Sequence, residues 1–245
     1  MNVLTIDIGN TLIKIDIWKN FEHLHHIAFL DLGIEEMDSL IDTYHIQGAS
    51  VCSVRNGEII LYECLFKVLE GNASSFTAKT CSHSGTFSLY RGNIGSDRAA
   101  ACLGALSLFE GISLLVIDAG TAITLDVVDS SGKFRGGNIS LGISGRLQAL
   151  HENTSQLPLV RKEGEASPFG LSTETAIRDG AINGVVGEVL FTASEAKRMY
   201  GVEKVVLTGG DGEFLLPFLR KNNIDCHFDP WLVGRGLNYD FISSQ

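Results

Sequence analysis

A short pattern that occurs twice constrains this chain more than any other feature. Val3 to Ile8 is apolar except for Thr5 and Asp7, runs into Gly9-Asn10-Thr11, and is followed at once by a period-2 run from Leu12 to Trp18. Alternation on both sides of a turn rich in small residues predicts a β-hairpin. The gesture returns later in the chain. Leu114 to Ile117 is apolar, Asp118 closes it, Gly120-Thr121 turns, and Ile123 to Val128 comes back. Ser130-Ser131-Gly132 then makes another tight turn, and Phe134 to Ile139 reads as a third strand. A supersecondary unit repeated at that distance predicts two similar domains facing each other, 1–112 and 113–245.

The rest of the chain fits an α/β protein. Ile46 to Val54 reads as a strand, Ile59 to Leu69 as a helix, residues 72 to 96 as loop, and Asp97 to Phe109 as an alanine-rich helix. In the second half, Ser144 to His151 predicts a short helix and Ser172 to Met199 a long one. Ala176, Gly180, Gly184 and Gly187 leave one face of that long helix nearly bare, which calls for a close contact with another helix or a partner subunit. Lys204 to Leu207 is a strand ending in Thr208-Gly209-Gly210-Asp211-Gly212. A helix over Glu213 to Lys221, a strand near Cys226 and a helix over Leu232 to Ile242 complete the pattern. His23, His25 and His26 fall in a polar stretch that reads as a surface hairpin.

Composition removes several classes of function. With 29 Asp and Glu against 19 Lys and Arg, and a net charge of -10, broad nucleic-acid binding is not expected. No stretch reaches the roughly 20 apolar residues that cross a bilayer, and Asp7 interrupts the run a signal peptide would need, so the expected location is cytoplasmic. The five cysteines, Cys52, Cys64, Cys81, Cys102 and Cys226, contain no C-x-x-C and read as buried or half-buried thiols.

The strand-end loops carry the chemistry. Gly9 allows close approach to an anion, Asn10 and Thr11 add side-chain donors, Asp7 is suited to Mg2+ or its water shell, and Lys14 to the charge of a transferred phosphoryl group. Asp118, Gly120 and Thr121 repeat the arrangement, and Gly209-Gly210 offers a third backbone loop, suited to a nucleoside. Together they fit a nucleotide in an interdomain cleft. Neither a P-loop nor G-x-G-x-x-G occurs. Gly95-Ser96-Asp97-Arg98 ends a polar loop and opens a helix; Asp97 is a candidate acceptor of a substrate hydroxyl proton, and Arg98 a fork for a carboxylate or phosphate. The alternative there is an N-cap aspartate beside a surface arginine.

These residues, taken in order, resemble the type III pantothenate kinase family. The resemblance rests on Asp7-x-Gly9-Asn10-Thr11-x-x-Lys14, Gly95-x-Asp97-Arg98, Asp118-x-Gly120-Thr121-Ala122-x-Thr124-x-Asp126 and Gly136-Gly137-x-Ile139. Leu157-Pro158-x-Val160, Gly170-x-Ser172-Thr173, Thr208-Gly209-Gly210 and Asp229-Pro230-x-Leu232 extend it over essentially the whole chain. It implies a duplicated ribonuclease-H-like, actin-like ATPase fold with mixed sheets and flanking helices. It also implies a homodimer that phosphorylates pantothenate with ATP, Mg2+ and a monovalent cation, K+ or NH4+, as the first step of coenzyme A synthesis. On that template Asp97 activates the hydroxyl, and Arg98, Gly95 and Tyr90 hold pantothenate. Thr173 reaches it from the partner subunit. Asp7 and Asp118 lie by the metal ions, and the helix over 172–199 forms the dimer interface. The chain departs from the family before Gly95: the stretch after Tyr90 lacks a proline and is about two residues shorter. Two other readings remain open, a kinase of another small hydroxy acid and a non-catalytic ligand-binding or regulatory relative. The latter is expected to lose Asp7 or Asp97, and both are present.

Overall fold

Both copies of the repeated hairpin form, and each seeds a sheet of its own. The computed structural model describes residues 1–55 and 59–245. They divide into two compact units, one of Met1–Gly111, Gly132–Phe134 and Trp231–Gln245, the other of Ile112–Ser131 and Arg135–Pro230. The first break lies beside the expected one. The last helix, expected in the second domain, belongs to the first unit.

In the first unit, β1 (Asn2–Ile8), β2 (Ile13–Lys19), β3 (Glu22–Phe29), β4 (Gly48–Ser53) and β5 (Ala73–Ser75) form one sheet in the order β3-β2-β1-β4-β5. Strand β1 is antiparallel to β2 and parallel to β4. Helices α1 (Ile34–Tyr44), α2 (Ile59–Val68) and α3 (Ser96–Leu108), a 3-10 turn over Ser84–Phe87 and the C-terminal helix α7 (Leu232–Ser243) complete the unit. One core packs Leu4, Ile6, Ile15 and Ile17 of the hairpin against Met37, Leu40 and Ile41 of α1.

The second unit repeats the scheme. Strands β6 (Leu114–Ala119), β7 (Ala122–Val128), β8 (Phe134–Leu141), β9 (Lys204–Thr208) and β10 (Cys226–Phe228) lie in the order β8-β7-β6-β9-β10, the same order with each strand replaced by its counterpart. Strand β6 is antiparallel to β7 and parallel to β9. Helices α4 (Ile143–Glu152), α5 (Thr173–Tyr200) and α6 (Gly212–Lys221) accompany the sheet. Its core joins Leu115, Ile117 and Leu125 to Ile182, Val185 and Val189 of α5. Two similar lobes of mixed sheet with flanking helices make this a duplicated actin-like ATPase fold.

Helix α1 is not expected from the sequence, and β5 falls in the 72–96 stretch that reads as loop with short strand-like pieces. The polar stretch of His23, His25 and His26, expected as a surface hairpin, forms β3 beside β2. There His23 and His26 reach the buried Asp16 carboxylate at 3.0 and 2.7 Å, so a polar strand is tied to the sheet by hydrogen bonds rather than apolar packing. The long helix is as expected. Ser172 is its N-cap and forms a capping box with Thr175, and Gly201 closes it in the left-handed region at φ 65°.

Helices α3 and α7 approach each other through bare backbone. A Cβ on Gly104 would strike the Leu232 carbonyl, and one on Gly236 would strike the Ala100 carbonyl and lie 2.9 Å from the Gly104 nitrogen. Ala99, Ala100, Ala101 and Leu103 are buried around this crossing.

Candidate active site

Asp7 ends β1 directly opposite Lys14 on β2 and Cys52 on β4. Register neighbours on adjacent strands project to the same face of a sheet, so the three side chains form one row. Lys14 Nζ lies 3.8 Å from Asp7 Oδ2, and the Cys52 thiol donates to Asp7 Oδ1 at 3.6 Å. Asp7 is 6% exposed, so its carboxylate sits at the bottom of the site between a cation and a neutral donor. Burial pushes the Cys52 thiol well above its ordinary 9.0, and the negative charges of Asp7 and Asp97 push it further. That second influence brings Asp97 into the same neighbourhood. The thiol therefore stays protonated between two carboxylates and donates, adding no third negative charge.

Asp97 occupies the second position of α3, and its N-cap is Gly95 rather than an aspartate. Asp97 Oδ1 accepts from the Arg98 backbone N–H at 2.8 Å, one of the donors a helix start leaves without an intrahelical partner. A negative charge in the first turn is also favoured by the helix dipole. Gly95 has a steric reason to be glycine: its Cβ would lie 2.6 Å from Asp97 Oδ1. The carboxylate can fold back over the helix start only because nothing stands there.

Arg98 is no surface residue. It is 6% exposed, and its guanidinium carbon lies 5.9 Å from the Tyr90 ring centroid and 5.9 Å from that of Phe134. Tyr90 and Phe87 line a cavity of about 510 Å³ together with Lys79, Asn93, Ile94 and Ser96. That volume lies within the range of small-molecule sites, roughly 300–1,000 Å³. The short stretch before Gly95 thus presents two aromatic side chains to one cavity.

In the second unit Asp118 ends β6 opposite Thr124 on β7 and Thr208 on β9. Gly209, at φ 91°, lies so close that a Cβ would strike the Asp118 carboxylate and the Ala119 carbonyl. Gly142 N donates to the Thr121 carbonyl at 3.0 Å, and a Cβ on Gly142 would strike the Gly120 carbonyl. Glycines from two distant segments therefore enclose the Gly120-Thr121 turn. Gly210 and Thr121 are exposed beside it.

The turn glycines use their own N–H groups within the turns. Gly9 N donates to the Leu12 carbonyl at 3.0 Å and Gly120 N to the Ala122 carbonyl at 2.9 Å. They shape the turns, which leaves anion binding to other donors there. Asn10 and Thr11 stand exposed at the tip of the first turn. Thr173 is exposed at the start of α5.

The first unit thus joins Asp7 to Lys14 and Cys52, where the charge of Asp97 is also felt, and joins Tyr90 to Arg98; the second joins Asp118 to Gly209. Cys52 and Phe134 escaped the sequence reading as members of these groups, because each arrives from a distant segment.

Among the described residues, no group of three or more His, Cys, Asp or Glu side chains is arranged to hold a metal ion. Mg2+ keeps several waters and binds through one or two carboxylates and substrate phosphates rather than a full protein cage. Asp7, with Asp97 near, offers such a partial set. Among the described residues, no helix is long and apolar enough to cross a membrane.

Because the Cys52 thiol titrates above 9.0 when folded, the folded form binds the extra proton at alkaline pH. Its contribution is present below 9.0 and is lost as pH rises further. Native protein at pH 8 is expected to leave Cys52 unmodified by iodoacetamide while urea-unfolded protein reacts, with peptide mass spectrometry as the readout. Rapid native alkylation of Cys52 would contradict a buried, protonated thiol.

Comparison with known proteins gives a consistent result. The family model described as Type III pantothenate kinase matches residues 3–194. A type III pantothenate kinase of Bacteroides fragilis is 36% identical over 239 residues, covering 96% of this chain and 95% of the relative. One from Flavobacterium johnsoniae is 34% identical over 249 residues, covering 98% of each chain. Among solved structures, a Baf family protein from Campylobacter jejuni superposes with a TM-score of 0.64 at 21% identity, covering 98% of each chain. The activator of a 2-hydroxyisocaproyl-CoA dehydratase from Clostridium difficile does so with a TM-score of 0.54 at 13% identity, covering 100% of this chain and 96% of that one. At those identities the two structures speak for the fold alone.

Proposed function

The chain belongs to the type III pantothenate kinase family, and from that premise we propose how its residues phosphorylate pantothenate with ATP, the first step of coenzyme A biosynthesis. The observation that carries the assignment of roles is the row of Asp7, Lys14 and Cys52, with the charge of Asp97 acting on the same thiol. Phosphoryl transfer asks little covalent chemistry of a protein and much positioning and charge compensation.

Asp97 is the proton acceptor. The pantothenate hydroxyl oxygen attacks the γ-phosphorus of ATP, the bond to the bridging oxygen of ADP breaks, and the hydroxyl proton passes to the Asp97 carboxylate. The bond from Arg98 N at the helix start fixes one oxygen so that the other is available. Arg98 binds the pantothenate carboxylate, with Tyr90 beside it and Gly95 clearing the path for Asp97. Lys14 balances charge on the transferred group. Gly9, Asn10 and Thr11 in the first unit, and Gly120, Thr121 and the Gly209-Gly210 loop in the second, are each assigned to nucleotide binding. Mg2+ would neutralise phosphate charge, and Asp7 is the residue of this chain that would hold it or its waters. Asp118 is assigned to the monovalent ion, K+ or NH4+.

We also propose a homodimer formed through α5. Gly180 and Gly187 have open space where a Cβ would stand, and Phe191, on the same stripe, is 69% exposed. Gly184 differs from the other two, because Arg146 already lies over it, at 2.8 Å from a Cβ position, while pairing with Glu188. Thr173, at the start of this helix, then reaches pantothenate on the partner. A Cβ at Gly187 meets none of the described residues within 4 Å, so Gly187→Phe is expected to leave each subunit folded and turn a dimer into a monomer by sedimentation. A dimer of unchanged stability would place the interface elsewhere.

The test of the function is ADP release with ATP, Mg2+ and K+, with and without pantothenate. ADP formation that requires pantothenate and falls when K+ and NH4+ are withdrawn is the expected outcome. A folded protein that releases no pantothenate-dependent ADP would refute the reading.

A further inference from the structure

We propose that Phe134 is a positioning residue for the acceptor carboxylate: it fixes the Arg98 guanidinium and the Tyr90 ring, and so sets the enzyme's preference for an anionic acceptor. The proposal rests on the assignment of Arg98 to that carboxylate.

Phe134 is 1% exposed and is the ring common to three contacts. Tyr90 meets it edge-on at 5.4 Å and 81°, Phe87 meets it at 5.9 Å and 51°, and the Arg98 guanidinium carbon lies 5.9 Å from its centroid. Phe87 and Tyr90 line the cavity, whereas Phe134 is not among the lining residues. Arg98 is not among them either, so Phe134 acts on the cavity wall through Tyr90 and Phe87 and on the carboxylate through Arg98. The guanidinium has aromatic rings near it at equal distance, Tyr90 and Phe134, and a planar delocalised cation is held over aromatic faces where an ammonium or an aliphatic contact would let it swing.

The origin of the ring adds to this. Gly132–Phe134 belongs to the first unit although β7 precedes it and Phe134 itself opens β8, both strands of the second sheet. Gly132 adopts φ 74°, and Lys133 Nζ donates to the Gly85 carbonyl at 2.7 Å, inside the 3-10 turn that ends in Phe87. The segment is thus tied to the same turn that supplies the cavity wall. Turn, ring and arginine are one assembly.

Phe134→Leu keeps the site apolar and removes the aromatic face. Its KM for pantothenate is expected to rise about tenfold, with kcat within about twofold and the KM for ATP unchanged, the signature of lost ground-state binding. Phe134→Tyr, which keeps the ring, is expected to restore most of the affinity. The neutral alcohol analogue of pantothenate, used as a competitive inhibitor, separates positioning from general loosening. Its Ki should barely move in Phe134→Leu if the ring acts through Arg98, and should rise in parallel with the pantothenate KM if the site has merely slackened. In an Arg98→Lys background the Phe134→Leu effect should largely vanish, since the two changes remove one interaction. Should Phe134→Leu fold poorly by thermal melting, Phe134→Met carries the same comparison with a side chain that fills irregular gaps. An unchanged pantothenate KM, or equal loss for the neutral analogue, overturns the proposal. Wild-type protein that shows no pantothenate-dependent ADP overturns the underlying reading instead.

Discussion

Asp97→Asn is expected to lower kcat by about 10²–10⁴-fold, the usual worth of a positioned general base, while leaving the fold intact. The substitution is close to isosteric. Asn keeps an oxygen that can accept from Arg98 N, so the first turn of α3 retains its bond at 2.8 Å. What disappears is the charge and the basicity. Single-turnover ADP formation reports the chemical step, and thermal melting should show little change because only a partly exposed group is altered. Turnover within about twofold of wild type would remove Asp97 from the proton-acceptor role. A loss that more Mg2+ restores would instead move Asp97 to the metal's side.

The largest loss of stability is expected from Gly236→Ala. The added methyl group would meet the Ala100 carbonyl and stand 2.9 Å from the Gly104 nitrogen, both of them helix backbone, so no side chain can swing aside. Helices α3 and α7 would have to part, opening a crossing lined by Ala99, Ala100, Ala101 and Leu103. Overpacking of this kind costs about 3 kcal/mol or more, a large share of a total near 5–15 kcal/mol. At this chain length that corresponds to a fall in Tm of about 10 °C. Gly187→Ala is the matching control, because a Cβ there meets nothing within 4 Å and the helix gains about 1 kcal/mol in propensity. Equal melting temperatures for the two variants would show that the α3–α7 crossing can relax. Activity should fall with Gly236→Ala as well, since α3 carries Asp97 at its start.

What was legible in the sequence was local. The two hairpins could be read because alternation, a small-residue turn and a terminal Asp all lie within a few residues of one another. The same locality revealed the pair Asp7 and Lys14, which the hairpin register sets opposite each other. Helix α5 could be read from its length, its Ser172 start and its Gly201 stop. Helix α1 was passed over although Met37, Leu40 and Ile41 follow helical spacing, because its start at Gly33 carries no side-chain cap to mark it. Cys52 and Phe134 lay beyond reach for a different reason. Cys52 meets Asp7 only through the parallel pairing of β4 with β1, and Phe134 meets Arg98 only because three residues of a distant turn join the first unit. Neither partnership leaves a periodic trace.

Helix α7 joins the first unit although all of Arg135–Pro230 precedes it in the chain. During synthesis, then, the unit that starts first finishes last. The second unit has its five strands and its long helix in hand before the ribosome has delivered the surface against which Gly104 packs. Until that moment α3 waits with its alanine-rich face uncovered, and the start of that helix is where Asp97 stands. Vectorial synthesis normally lets the leading domain fold ahead of the trailing one. Here the order is reversed, so the helix that Asp97 opens gains its partner α7 only after the second unit has been made.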